Sequence, residues 1–238
     1  MFYQVQLWPW RVRRFLELAN ESLCTFTNHV RRIEIDHLRV RGKEADVGKV
    51  GSEVVDSHYG GMMIETMLLP HPPCFRGVQS IRVCNVDWTL FSVNEQTIVR
   101  NNFSQFARLD QLELQGVVFH DLREVFRIIN DLETLQHLTV NISFTKYLQY
   151  AISLAQTLRL PSNLHSLEVE TEDGIAAMLS CIMASHDTQK IRILKLRNIK
   201  PVHLSYVKML LKKSGRSLQH LVLGIVNNEV SRMNEGAS

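Results

Sequence analysis

At 238 residues, with 45% hydrophobic and 21% charged side chains, the chain has the make-up of a folded globular protein and not of a disordered or collagenous one. Its 27 basic and 24 acidic residues leave a net charge of +3, too small and too dispersed to mark a nucleic-acid binder. Cys24, Cys74, Cys84 and Cys181 are scattered, with neither a CxxC pair nor a zinc-ligand spacing, so reduced thiols in a cytoplasmic or nuclear compartment are expected.

From the N-terminus onward one pattern returns, apolar-x-x-apolar-x-apolar. It starts at Phe2, Val30, Val78, Leu109, Leu135, Leu164, Ile191 and Leu218. The steps are 28, 48, 31, 26, 29, 27 and 27 residues, and all but the second lie near the period of leucine-rich repeats. The long step contains His37 to Glu53, glycine-rich and charged, which reads as a surface loop inserted into one repeat. Between the short strands, helical periodicity is expected at Asn94–Phe106, Asp121–Leu132, Thr145–Leu158, Asp173–Ala184 and Leu204–Lys213. In the second, Leu122, Val125, Phe126 and Ile129 share one helix face. A strand and helix of this size cannot bury their apolar sides alone, and stacking the next unit on them does so.

The expected fold is therefore an α/β leucine-rich-repeat solenoid of about eight irregular repeats. Its parallel strands line a concave face and its helices a convex one, over residues 1–226, followed by a polar tail at 227–238. Strand alternation sends Leu112 and Leu114 into the core and Gln111, Glu113 and Gln115 outward. After the strands, Val86-x-Trp88, Val117-x-Phe119 and Ile142-x-Phe144 pair an aliphatic residue with an aromatic one, which reads as packing at the core edge.

The candidate site is the outward strand face, a mixed-charge surface suited to a protein partner. Its residues are Arg32 and Glu34, then Arg82, Gln111 and Glu113, then His137 and Thr139, then Glu168 and Glu170, and finally Lys195 and Arg197. Asp36, Ser80, Cys84, Gln115, Asn141, Ser166 and Ile193 share that parity. No catalytic, cofactor or metal site is assigned. Gly42 to Gly51 miss the P-loop spacing and its hydroxyl, and the ten histidines show no ligand pairing. His137 and His220 fall in equivalent positions three repeats apart. Arg11, Arg13, Arg14, Arg31, Arg32, Arg39, Arg41 and Lys43 are interleaved with acidic residues and read as a solvated face.

The segments HVRRIEID at His29–Asp36, SIRVCNVDW at Ser80–Trp88, LDQLELQGVVF at Leu109–Phe119, LQHLTV at Leu135–Val140 and KSGRSLQHLVLGI at Lys213–Ile225 carry a family resemblance. The chain resembles the fungal F-box proteins whose C-terminal part is a degenerate leucine-rich-repeat array. That resemblance implies a substrate-recognition arc of an SCF-type ubiquitin ligase. A Skp-type adaptor would bind only through an F-box, and none precedes Phe2, so the chain reads as truncated upstream and adaptor binding falls on no residue here. The alternative is a stand-alone repeat scaffold or inhibitor-like binding protein. A hydrolase with a site assembled across the fold is a remote third. A monomer is expected, without nucleic-acid or membrane partners.

Overall fold

The computed structural model describes residues 4–7, 26–36, 75–145, 160–171, 174–185, 188 and 190–226. Among these described residues eight strands form one sheet: β1 (Gln4–Leu7), β2 (Arg32–Asp36), β3 (Ser80–Cys84), β4 (Gln111–Phe119), β5 (His137–Phe144), β6 (Ser166–Glu170), β7 (Ile193–Ile199) and β8 (His220–Ile225). Spatial order follows chain order, and every neighbouring pair is parallel. The described residues of the crossovers include four α-helices: α1 (Val93–Ser104), α2 (Leu122–Asn130), α3 (Ile175–Ala184) and α4 (Leu204–Ser214). The molecule is thus an α/β protein in which each strand is added beside the last, a solenoid-like arrangement.

Each of the eight sequence copies supplies one strand, and the register aligns equivalent positions. Ser80 faces Gln111, Gln111 faces His137, His137 faces Ser166, Ser166 faces Ile193, and Ile193 faces His220. This alignment follows from the alternation, because a slip of one residue would turn a whole strand's apolar set out of the core. Ile33 and Ile35, Ile81 and Val83, Leu112 and Leu114, Leu138 and Val140, Leu167 and Val169, and Leu194 and Leu196 are all buried in one cluster. Val30, Val78, Leu109, Leu135, Leu164 and Ile191, the first apolar residue of each of those copies, are buried in the same cluster just ahead of their strands.

The aliphatic-x-aromatic turns also fall where the pattern puts them. Val117 faces Ile142 and Phe119 faces Phe144, while Asp87 bridges to Val118. Trp88 is buried, its ring 5.2 Å from that of Phe91 and 5.7 Å from that of Phe119. The register shifts by one residue at Gln115/Val117, where Gly116 has φ of +63°. Asn85 and Asn198, at φ of +58°, hold the equivalent eighth position of their copies. Glycine and asparagine are the residues that adopt this left-handed geometry at least cost. A Cβ on Gly116 would lie 2.6 Å from Asn85 Oδ1.

The helices begin where local chemistry allows. Ser92 and Glu95 form a capping box at α1, Ser92 N–H donating to Glu95 Oε2 at 2.7 Å and Glu95 N–H to Ser92 Oγ at 3.4 Å. Hydrogen bonding from the Ser92 hydroxyl and from its backbone N–H holds the Glu95 carboxyl below its ordinary pKa. Asp121 caps α2 by accepting from Arg123 N–H at 2.8 Å. Helix α1 ends at Ser104, two residues before the expected Phe106, and α3 starts two residues after the expected Asp173, behind Gly174 at φ of +81°. Lys213 of α4 donates to the carbonyls of Met183 and Ser185, placing a cation on the C-terminus of α3. Outside the described residues lie the expected loop insertion at 37–53, the expected helix Thr145–Leu158 beyond Thr145, the stretch 227–238, and Arg11, Arg13, Arg14, Arg39, Arg41, Lys43, Cys24 and Cys74.

Candidate functional site, the polar strand face

Alternation leaves the other side chains of the strands on the sheet's second face. Their polar bonds run from strand to strand or to the turn after β3, and among the described residues none reaches a helix. Every candidate residue expected on this face is found there, and the register brings them into rows. Glu34, Arg82, Glu113, Thr139, Glu168 and Lys195 form the central row. Arg32, Gln111 and His137 lie in the row toward the strand starts, and Glu170 and Arg197 in the row toward the strand ends.

Two clusters of charge divide this face. The larger covers β1 to β4 and centres on two carboxylates. Glu34 accepts from Gln4 Nε2 at 3.0 Å and Gln6 Nε2 at 3.2 Å, with Arg82 Nη1 at 3.8 Å. Glu113 accepts from Gln111 Nε2 at 2.8 Å and Arg32 Nη2 at 3.3 Å. Arg82 Nε is 3.4 Å from Glu113 Oε2, near enough for attraction but without hydrogen-bond geometry. Arg82 Nη2 also donates to Gln115 Oε1, and Asn85 Nδ2 donates to Asp36 Oδ1 at 3.1 Å. Arg32 reaches Glu113 by passing over β3, where its register partner is the small Ser80.

That bridge changes the reading of two positions. Ser80 and Cys84 have the outward parity but are 7% and 5% exposed, so neither presents a surface, and Ser80 Oγ has no hydrogen-bond partner. Burial raises the Cys84 thiol pKa, with Asp36 and Glu34 adding to the rise and Arg82 opposing it. The smaller cluster joins β6 to β7, with Glu168 accepting from Lys195 Nζ at 3.1 Å and Arg197 Nε at 3.0 Å. Between the clusters, β5 contributes the uncharged Thr139, Asn141 and exposed Ser143 with the exposed His137. The His137 ring meets that of His165 edge-on at 5.5 Å, while His220 lies three strands away. Glu170 makes no hydrogen bond or ion pair among the described residues and is half-buried beside Asn141 and Arg197.

Sequence reasoning did not find Gln4, Gln6, Asn85 and His165. Gln4 and Gln6 share the parity of the copy at Phe2, which was signal enough; His165 precedes its strand and has no such mark. Electrostatically the face is nearly self-neutralised, because Glu113 and Glu168 each hold two cations and Glu34 holds one. Such half-exposed pairs each contribute about 1 kcal/mol or less, so their main effect is to fix long side chains in place. Among the described residues no group of three or more His, Cys, Asp or Glu is placed to hold a metal, and no helix is long and apolar enough to cross a membrane. Protein-family models, curated proteins and solved structures were all compared with the chain, and none matches.

Proposed function

We propose that this chain is a leucine-rich-repeat protein that binds another protein on its polar strand face. By its resemblance, it would be the substrate-recognition part of an F-box protein of an SCF-type ubiquitin ligase. One observation carries the binding reading. Side chains held in rows across the strands present a mixed-charge surface that no described helix engages, with the uncharged strand β5 between two fixed charge clusters. Preformed clusters of this kind set register and choice of partner, and the uncharged centre is the part that desolvates at least cost. The reaction belongs to the ligase partners, and this chain contributes proximity.

The test avoids Glu113 and Glu168, because reversing either would set a new cation against the two each now holds. Thr139→Trp instead places uncharged bulk in the middle of the face and adds no charge beside Glu113 or Glu168. Tagged wild-type chain should capture a discrete partner that Thr139→Trp loses, with unchanged circular dichroism. Capture that is indifferent to Thr139→Trp contradicts the face assignment. Co-purification of a Skp-type adaptor and a cullin with a chain carrying an F-box supports the ligase reading. A partner captured without them favours the stand-alone scaffold.

A further inference from the structure

We propose that β8 is the seam of a two-fold dimer of this chain, in which the β8 strands of two copies pair antiparallel. Among the described residues β8 is the outermost strand of the sheet at its end, yet it is composed like an interior one. Leu221 and Leu223 face Leu194 and Leu196 in the register, and those two are fully buried, but Leu221 and Leu223 are 39% and 37% exposed. On the polar face, where β5, β6 and β7 carry Thr139, Glu168 and Lys195, β8 carries Val222. From Leu218 to Val226 there is neither a charged residue nor a proline, the usual devices that protect an edge strand from pairing.

The backbone shows which groups are free to pair. His220 N–H donates to the Arg192 carbonyl at 2.9 Å, so in a parallel ladder residues 220 and 222 direct their amides and carbonyls into β7. Those of Leu221 and Leu223 then point to the open edge. A two-fold axis through Val222 sets Leu221 opposite Leu223 of the second copy, each exchanging both backbone bonds with the other. Val222 meets its own copy as the close, non-hydrogen-bonded pair, and His220 falls opposite Gly224, which leaves room for the ring.

The sequence is self-complementary for this purpose, since Leu-Val-Leu reads the same in both directions and no charge meets its like across the axis. Isologous pairing uses the open edge of both β8 strands at once, so the assembly closes at two copies. An axis normal to the sheet keeps both polar faces on one side and makes the dimer bivalent, in place of the monomer expected from the sequence.

Sedimentation equilibrium of the full chain tests this. The wild type should run with the mass of two chains, and Val222→Lys, which sets two ammonium groups together on the axis, should weaken association by about a hundredfold. Its circular dichroism should not change. Val222→Cys should cross-link into a covalent dimer under mild oxidation, because an antiparallel close pair is within disulfide reach, whereas Lys208→Cys on α4 should not. A wild type with the mass of one chain, a dimer that survives Val222→Lys, open-ended aggregates, or a monomer whose edge takes up a different apolar strand would each overturn the self-pairing.

Discussion

The middle of the sheet and its C-terminal end are written in the same pattern and are buried to very different degrees. In LDQLEL at Leu109 the core-facing Leu112 and Leu114 are 0% and 2% exposed, while in LQHLVL at Leu218 the equivalent Leu221 and Leu223 remain more than a third exposed. The strands have the same parity and parallel pairing, but among the described residues β4 has a strand on both sides and β8 on one. Alternation therefore decides which face a side chain takes, and stacking decides whether it is removed from water.

The largest test of this contrast is a pair of truncations. Leu112→Ala should cost about 3 to 5 kcal/mol through lost burial and a residual cavity, and Trp88→Ala a similar amount. In a Val222→Lys background, where no second copy covers β8, Leu221→Ala should cost only about 1 kcal/mol, because the exposed part of its side chain is not removed from water. Urea unfolding of the three variants measures the difference, and equal losses at 112 and 221 would remove the contrast.

Two glycines sharpen it further. Gly116→Ala must hold a left-handed backbone and push aside the Asn85 amide, which costs about 1 to 3 kcal/mol. At Gly224 a new Cβ finds ordinary contacts no nearer than 3.4 Å and no positive φ, so Gly224→Ala should change stability by less than about 1 kcal/mol. The same unfolding assay compares them.

A smaller effect belongs to the cap of α2. Asp121→Ala should cost about 1 kcal/mol, whereas Asp121→Asn keeps a capping oxygen. Burial would raise the Asp121 pKa, but bonds from the Arg123 guanidinium and backbone, with the Glu124 N–H, hold it below its ordinary 3.8. Its contribution is full above that unfolded value and is lost as pH falls through the lower folded one. Asp121→Asn should therefore flatten the acid limb of a stability–pH profile, and an unaltered limb would contradict the assignment. The smallest signal is chemical: burial pushes the Cys181 thiol up to about 11, and Cys84 is buried as well. In a chain with Cys24 and Cys74 replaced by serine, both should resist a thiol reagent until the protein unfolds.

The fold was legible because its strongest signal is local and repeated. Eight copies gave eight strands, and aligning Val117 with Ile142 already absorbed the extra residue at Gly116. The left-handed positions were also visible in principle, since Asn85, Gly116 and Asn198 occupy one place in their copies. Less legible was what the outward side chains do once there. Parity places Arg32 and Glu113 on one face but cannot say that Arg32 crosses β3 to reach Glu113, or that Ser80 and Cys84 lose their surface. Those outcomes depend on side-chain length and on neighbours 30 to 80 residues away. The exposure of β8 was hidden for a related reason, because burial there depends on a neighbouring unit that the motif itself does not encode.

The central claim is that the polar strand face is the recognition surface. A photo-crosslinking residue placed at Thr139, and separately at the exposed Met209 of α4, tests it most directly in the presence of the captured partner. Cross-links from position 139 and none from 209 are the predicted result. Cross-links from 209 with none from 139 would move the binding site to the helix side and contradict the account.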